Sequence, residues 1–304
     1  MADKPSRAVV LYGDGLAPLI DSVHTHFHSM ASLSSCGFLT LPHSPPSEND
    51  EARMVREFGE LLDVNENVKD YTQADSQVPT ISDRFMGLKA ALVTNNSNLQ
   101  CFGRKCGLTI LSMNEITGSS HPLDQPFLGA SGLLKVLGFQ DGKTLDTSQF
   151  DLILVHMGAG EGPDGLVDIK QVNDLVGALV DMVKPETEIS SRLHLSLIMS
   201  YGAVHGDGNS KSSLSVVKLD DNSKLSLLYP RQSYTLKAGK LRENVRCHSP
   251  MLIAQWQNAV TRRDLVGTFS FLNFKEHGGN LVIPADRFIH EVAFKLWKAP
   301  KYGA

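Results

Sequence analysis

Seven side chains in this sequence pair an oxygen or imidazole donor with a position in a loop that follows an apolar run: Asp14, Ser47, Glu161, Asp164, His205, Asp207 and His248. Carboxylate, hydroxyl and imidazole donors gathered at one sheet edge could hold a divalent cation, with Mn, Mg and Zn all suited to such a set. Taken singly, each also has an ordinary reading: Asp14 as a turn residue, Ser47 as a helix cap, Glu161 and Asp164 as solvated loop charges, His205 and His248 as hydrogen-bonded loop residues. A second group, His24, His26 and His28, sits on alternate positions. Alternate positions share a face on a strand, but on a helix they spread around the axis, so capping or solvated histidines are expected there.

The stretch that must position the donors is Phe150 to Gly165, FDLILVHMGAGEGPDG. The apolar run from Asp151 to Met157 is short, and glycines bound it where it must stop, which predicts a central parallel strand buried on both faces. Gly158, Gly160 and Gly162 let a ligand approach the backbone at the strand's carboxyl end, the edge at which open α/β sheets bind. The helix after it is predicted from Asp168, with Val172, Leu175, Val176, Leu179, Val180 and Val183 on one face and Pro185 at its end.

The remaining runs repeat this pattern. AVVLY (Ala8 to Tyr12) reads as a strand that delivers Asp14, and Ala17 to Leu33 as a helix stopped at Cys36-Gly37. Glu51 to Val64 reads as a helix with a stripe of Met54, Val55, Phe58, Leu61 and Leu62, where Ser47 and Asp50 resemble a capping box. Leu88 to Thr94, a helix capped at Asn96 or Ser97 and running through Lys105, and Leu108 to Ser112 form a right-handed βαβ unit. Leu193 to Ser200 and Ser249 to Trp256 read as strands, residues 209–243 as hairpins at a sheet edge, and Pro284 to Trp297 as a closing helix.

Composition excludes several classes. With 304 residues, 41% of them apolar, the chain can bury a large core. A formal charge of −4 without a basic block argues against nucleic-acid or membrane surfaces. Four cysteines without a CxxC motif predict a reducing compartment, and the start MADKPSR has no apolar leader core, so a cytoplasmic protein is expected. Gly158 to Gly162 lacks the spacing and context of a dinucleotide-binding GxGxxG. No GxxxxGK[ST] or GxSxG is present.

In order, these pieces resemble the alkaline phosphatase superfamily, and within it the archaeal-type cofactor-independent phosphoglycerate mutases. The likeness is carried by VVLYGDGLAPL with SMASLSSCGFL, DRFMGLKAALVTNN with FGRKCGLTILSMNEITG, FDLILVHMGAGEGPDG, and NVRCHSPMLI with FKEHGGNLVIPADRFI. It implies one three-layer α/β sandwich over 1–304, a mostly parallel central sheet with helices on both faces, and a variable, partly irregular segment at 42–82. It also implies that Asp14 and His248 are metal ligands and that Ser47, with Ser44 as the alternative, is the phosphate-accepting nucleophile, activated by a helix N-terminus and a cation.

Three departures bear on function. Where the family's loop after the central strand supplies an Asp and two His, this chain has GAGEGPDG, with only Glu161 or Asp164 to substitute. Where the family has Asp-His after the next strand, it has Ser200-Tyr201-Gly202. The space from Ser47 to Arg84 is also too small for the family's inserted substrate domain. The expectation is therefore a diverged, non-catalytic member that binds a small phosphorylated or otherwise anionic molecule, or a protein partner, in the former active-site cleft. The alternative is a phosphatase or phosphotransferase with one divalent metal on Asp14, His248 and Glu161, Ser47 attacking, and His205 or Asp207 moving a proton. A third reading is a scaffold with Pro42 to Ser82 as a docking arm.

Overall fold

Period-2 burial on both sides of the strands builds the core. On β1 (Arg7–Asp14), Val9 and Leu11 join one apolar cluster while Ala8, Val10 and Tyr12 join the other. On β5 (Leu152–Gly158), Ile153 and Val155 face the first cluster, Leu152 and Leu154 the second. A strand buried on both faces must be covered twice, and helices on each face do that. The computed structural model describes residues 7–45, 47–64, 79–119, 125–158, 165–183, 187–203, 234–237, 239–246, 249–278 and 281–300.

The sheet also contains β2 (Ser35–Thr40), β3 (Ala90–Val93), β4 (Thr109–Leu111), β6 (Leu193–Met199), β7 (Met251–Trp256) and β8 (Leu281–Pro284). Its order is β8-β2-β7-β6-β1-β5-β3-β4. β7 is antiparallel to β2 and β6, and every other pairing in the sheet is parallel. One face is covered by α1 (Thr25–Leu33), α4 (Pro126–Val136), α5 (Gly165–Met182) and α6 (Phe271–His277), the other by α2 (Asp50–Leu61), α3 (Ser97–Lys105) and α7 (Phe288–Lys295). This is the three-layer α/β sandwich expected from the sequence.

The structure corrects several local expectations. The helix placed at Ala17 to Leu33 is a single 3-10 turn, Ala17–Leu19, followed by a separate α1, and Cys36-Gly37 is inside β2 rather than a helix stop. The cap of α2 is Asn49, whose side chain accepts from the Ala52 N–H, and not Ser47. Leu236–Lys237 and Lys240–Leu241 pair with each other as a separate two-stranded sheet, off the main sheet; 209–233 and 238 of the expected hairpin region lie outside the described residues. His24 lies at the N-cap of α1 and accepts from the Asp21 N–H, His28 accepts from the Phe269 N–H through Nδ1, and the exposed His26 lies over Gly177 of α5, so two of the three bind loop backbone and one packs against a helix.

The β3–α3–β4 unit is packed to its limit at Gly103. A Cβ added there would sit 2.9 Å from both Ile110 Cδ1 and Leu92 Cδ2. Gly103→Ala is expected to lose ~1–3 kcal/mol through overpacking, despite alanine's better helix propensity. Urea denaturation checks the sign: a gain in stability would mean that α3 lies farther from the sheet.

Candidate functional site

The carboxyl ends of β1, β3, β5 and β6 meet at one edge, and the register there is tight. Asp14 pairs with Gly158 across β1 and β5, and Gly13 pairs with Met199 across β1 and β6. The chain leaves β1 through Gly15, whose positive φ of 70° a glycine adopts without strain. Ser200, just past β6, donates from its backbone N–H to the Gly13 carbonyl, and its hydroxyl accepts from the Gly15 N–H at 2.9 Å. That fixes the hydroxyl for its own donation to Asp14 Oδ1, also at 2.9 Å.

Asp14 stands where the sequence places it, but its carboxylate is occupied. Arg53, from the second turn of α2, donates from Nη1 to Oδ1 and from Nη2 to Oδ2, both at 2.8 Å. The Tyr12 hydroxyl adds a third donor to Oδ1 at 3.2 Å. Arg53 also donates from Nε to Asp50 at 2.7 Å and from Nη1 to Glu57 at 3.1 Å. Glu57 is fully buried and reaches Arg246, which donates onward to the Ser249 carbonyl. A planar fork on a carboxylate is the geometry guanidinium holds best.

The electrostatics follow from this network. Burial pushes the Asp14 carboxyl up, but the Arg53 hydrogen bonds and charge outweigh it and hold the group below its usual range, with help from His156 and Ser200. Burial lowers Arg53, and Asp14, Asp50 and Glu57 more than reverse this, raising it. Glu57 is raised, because burial outweighs Arg246 and Arg53. Tyr12 is pushed well up by burial and then by Asp14 and Glu57. Beside them, His156 of β5 is lowered to about 4 by burial, with Asp14 opposing and Arg53 adding to the shift.

The carboxylate that the resemblance assigns to a cation does not fit one here. Both oxygens receive guanidinium N–H groups, and the residue after β6 is a hydroxyl donor to that carboxylate, where the family's motif has an acid and an imidazole. Among the described residues, no three His, Cys, Asp or Glu side chains gather in a way that could hold a metal ion. Ser47 is exposed in the turn ahead of α2 and is not among the partners of Asp14. The alternative Ser44 accepts from Arg56, which also grips Glu48. Glu161, Asp164, His205, Asp207 and His248 lie outside the described residues.

The fold is a three-layer α/β sandwich around a mostly parallel eight-stranded sheet. The chain superposes end to end on the PH0037 protein from Pyrococcus horikoshii, covering 100% of each chain at 12% identity with a TM-score of 0.56. Two further solved structures are similar: the cofactor-independent phosphoglycerate mutase from Thermoplasma acidophilum (9% identity, 95% and 99% coverage, TM-score 0.46) and the lipoteichoic acid synthase LtaP from Listeria monocytogenes (10% identity, 86% and 67% coverage, TM-score 0.48). No family model and no curated protein matches the sequence. Among the described residues, no helix is long and apolar enough to cross a membrane.

Proposed function

We propose that this chain is a diverged, non-catalytic protein of alkaline-phosphatase fold that binds a small phosphorylated molecule at the carboxyl edge of its sheet. The observation that carries the reading is the Arg53–Asp14 pair. Arg53 brings a fixed positive charge from α2 to the carboxylate that a metal would otherwise claim, at 2.8 Å on both oxygens and with both side chains buried. A guanidinium satisfies that carboxylate at every pH the protein meets and offers no open coordination position for a water or hydroxyl nucleophile. Ser47 then has no cation at Asp14 to activate it.

The competing reading, a single-metal phosphatase on Asp14, Glu161 and His248, requires Arg53 to leave Asp14, which would cost the buried Arg53 Nη2 its bond to Asp14 Oδ2. Elemental analysis of the purified protein, with p-nitrophenyl phosphate turnover in Mn, Mg or Zn, separates the two. The expected result is no stoichiometric metal, no metal-dependent turnover, and a rise in melting temperature with inorganic phosphate. Phosphate at a hundred times its Kd corresponds to ~2.7 kcal/mol of added stability. Stoichiometric metal together with turnover that Asp14→Asn abolishes would overturn the proposal.

A further inference from the structure

One buried polar atom at this edge is not used by the ion-pair network. His156 is 8% exposed, and its Nε2 has no hydrogen-bond partner among the described residues. Its Nδ1 lies 3.0 Å from the Thr94 hydroxyl, just past β3, and that hydroxyl already accepts from the Asn96 N–H at 3.1 Å. The one hydrogen of that hydroxyl is available for donation to His156 Nδ1. In that arrangement Nδ1 accepts and the ring proton sits on Nε2. Nε2–H is then a buried donor with no acceptor among the described residues, a state that native proteins rarely tolerate without a function.

Gly158 follows His156 by two residues on the same strand face, and among the described residues a Cβ built there meets His156 alone, Cε1 at 3.6 Å and Nε2 at 3.9 Å. A glycine at 158 thus puts no side chain of its own over the imidazole edge at the carboxyl end of β5, where Gly158 pairs with Asp14 of β1. His194 also has an orphaned ring nitrogen, but it lies near the start of β6, at the opposite end of the sheet, and is fully buried.

The geometry points to His156 as a ligand-binding residue: a neutral imidazole whose Nε2–H donates to a phosphoryl oxygen of a small molecule seated over Gly158. The assignment rests on the phosphate-binding reading above and specifies its donor. A metal ion would need the Nε2 lone pair, which this tautomer does not offer; an oxygen acceptor needs the proton it does offer. Burial holds the ring neutral, so the donor persists unchanged through the neutral pH range.

Long-range 15N–1H NMR of the histidine rings in the full chain, followed through a titration with inorganic phosphate and then glycerol phosphate, tests this. The His156 ring is expected to show the Nε2–H tautomer at neutral pH and to shift on titration. His156→Phe should weaken phosphate binding by about tenfold or more, as expected for losing a hydrogen bond to a charged group. His156→Gln, which keeps an N–H near the same place, should retain most of the affinity. An Nδ1–H tautomer, read on the wild type without any variant, overturns the assignment. Equal phosphate affinity in wild type and His156→Phe overturns it while leaving the phosphate-binding function standing. Failure of the wild type to bind either probe overturns both.

Discussion

Arg53→Met is expected to destabilise the protein by ~3–5 kcal/mol, the range for removing one partner from a buried ion pair. The substitution keeps most of the apolar stem of Arg53 and deletes its charge. Asp14, 5% exposed, would keep only the Ser200 and Tyr12 hydroxyls. Glu57, with no exposed surface, would keep Arg246 at 3.4 Å and Arg56 at 3.9 Å. Neither set of remaining partners replaces a bidentate guanidinium, so the cost is mainly that of stranded carboxylates rather than of lost attraction.

That origin can be measured. In Arg53→Met/Asp14→Asn the stranded charge at Asp14 is absent, so the double variant should lose less than the two single variants added together, with a coupling of ~0.5–3 kcal/mol. Urea denaturation of the four proteins closes the cycle. If Arg53→Met costs less than ~1 kcal/mol, the pair is not buried in solution. The cation-substitute role proposed for Arg53 would then fail with it.

The sheet was largely legible in the sequence because strands buried on both faces leave unbroken apolar runs, as in AVVLY, DLILVHM and LHLSLIM. β2 was not, because SCGFLT opens with a Cys-Gly pair that follows a helical pattern and looks like its stop, while Cys36 and Gly37 in fact pair with Ala254 and Ile253 of β7. Nor does local periodicity report that β7 runs antiparallel between β2 and β6, since that depends on the path of the long preceding connection. The alkaline-phosphatase resemblance led to Asp14 and marked Ser200-Tyr201-Gly202 as a departure from the family's motif; that Ser200 donates to Asp14 was not foreseen. Arg53 was hidden: with Glu57 it forms an i,i+4 pair, which on most helices marks a solvated face. The available signal was its position beside Met54 and one turn before Glu57 and Phe58, on the face that buries Met54, Phe58 and Leu61 against the sheet. His156 was legible only as an imidazole inside a buried run; its free nitrogen depends on Thr94, a contact between residues far apart in the sequence.

Stability is expected to fall steeply between pH 6.5 and pH 4, and two buried imidazoles set that window. His156 is lowered from 6.5 to about 4, first by burial and further by Arg53, with Asp14 opposing. His194 is lowered well below 6.5, first by burial and then by Lys295. In this window the unfolded chain takes up protons that the folded chain refuses, so stability rises with pH, and each depressed histidine contributes stability that is lost as pH falls. The His156 shift alone corresponds to on the order of 3 kcal/mol. Asp14, held below its usual range, adds its own loss only at still lower pH. Glu57, held above its usual range, acts in the other sense: its contribution is present below its unfolded value and is lost as pH rises through its folded one, so it partly offsets the histidines near the acid end. Near pH 5.5 the two histidines together give a slope of up to ~2.7 kcal/mol per pH unit. Urea midpoints from pH 7 to 4.5 measure it. His156→Gln and His194→Gln should each remove roughly half of the slope, whatever they do to stability at pH 7. A flat profile in the wild type, or an undiminished slope in both variants, would mean that these rings are protonated or solvated in the folded protein, and the neutral Nε2–H donor at the sheet edge would be lost with them.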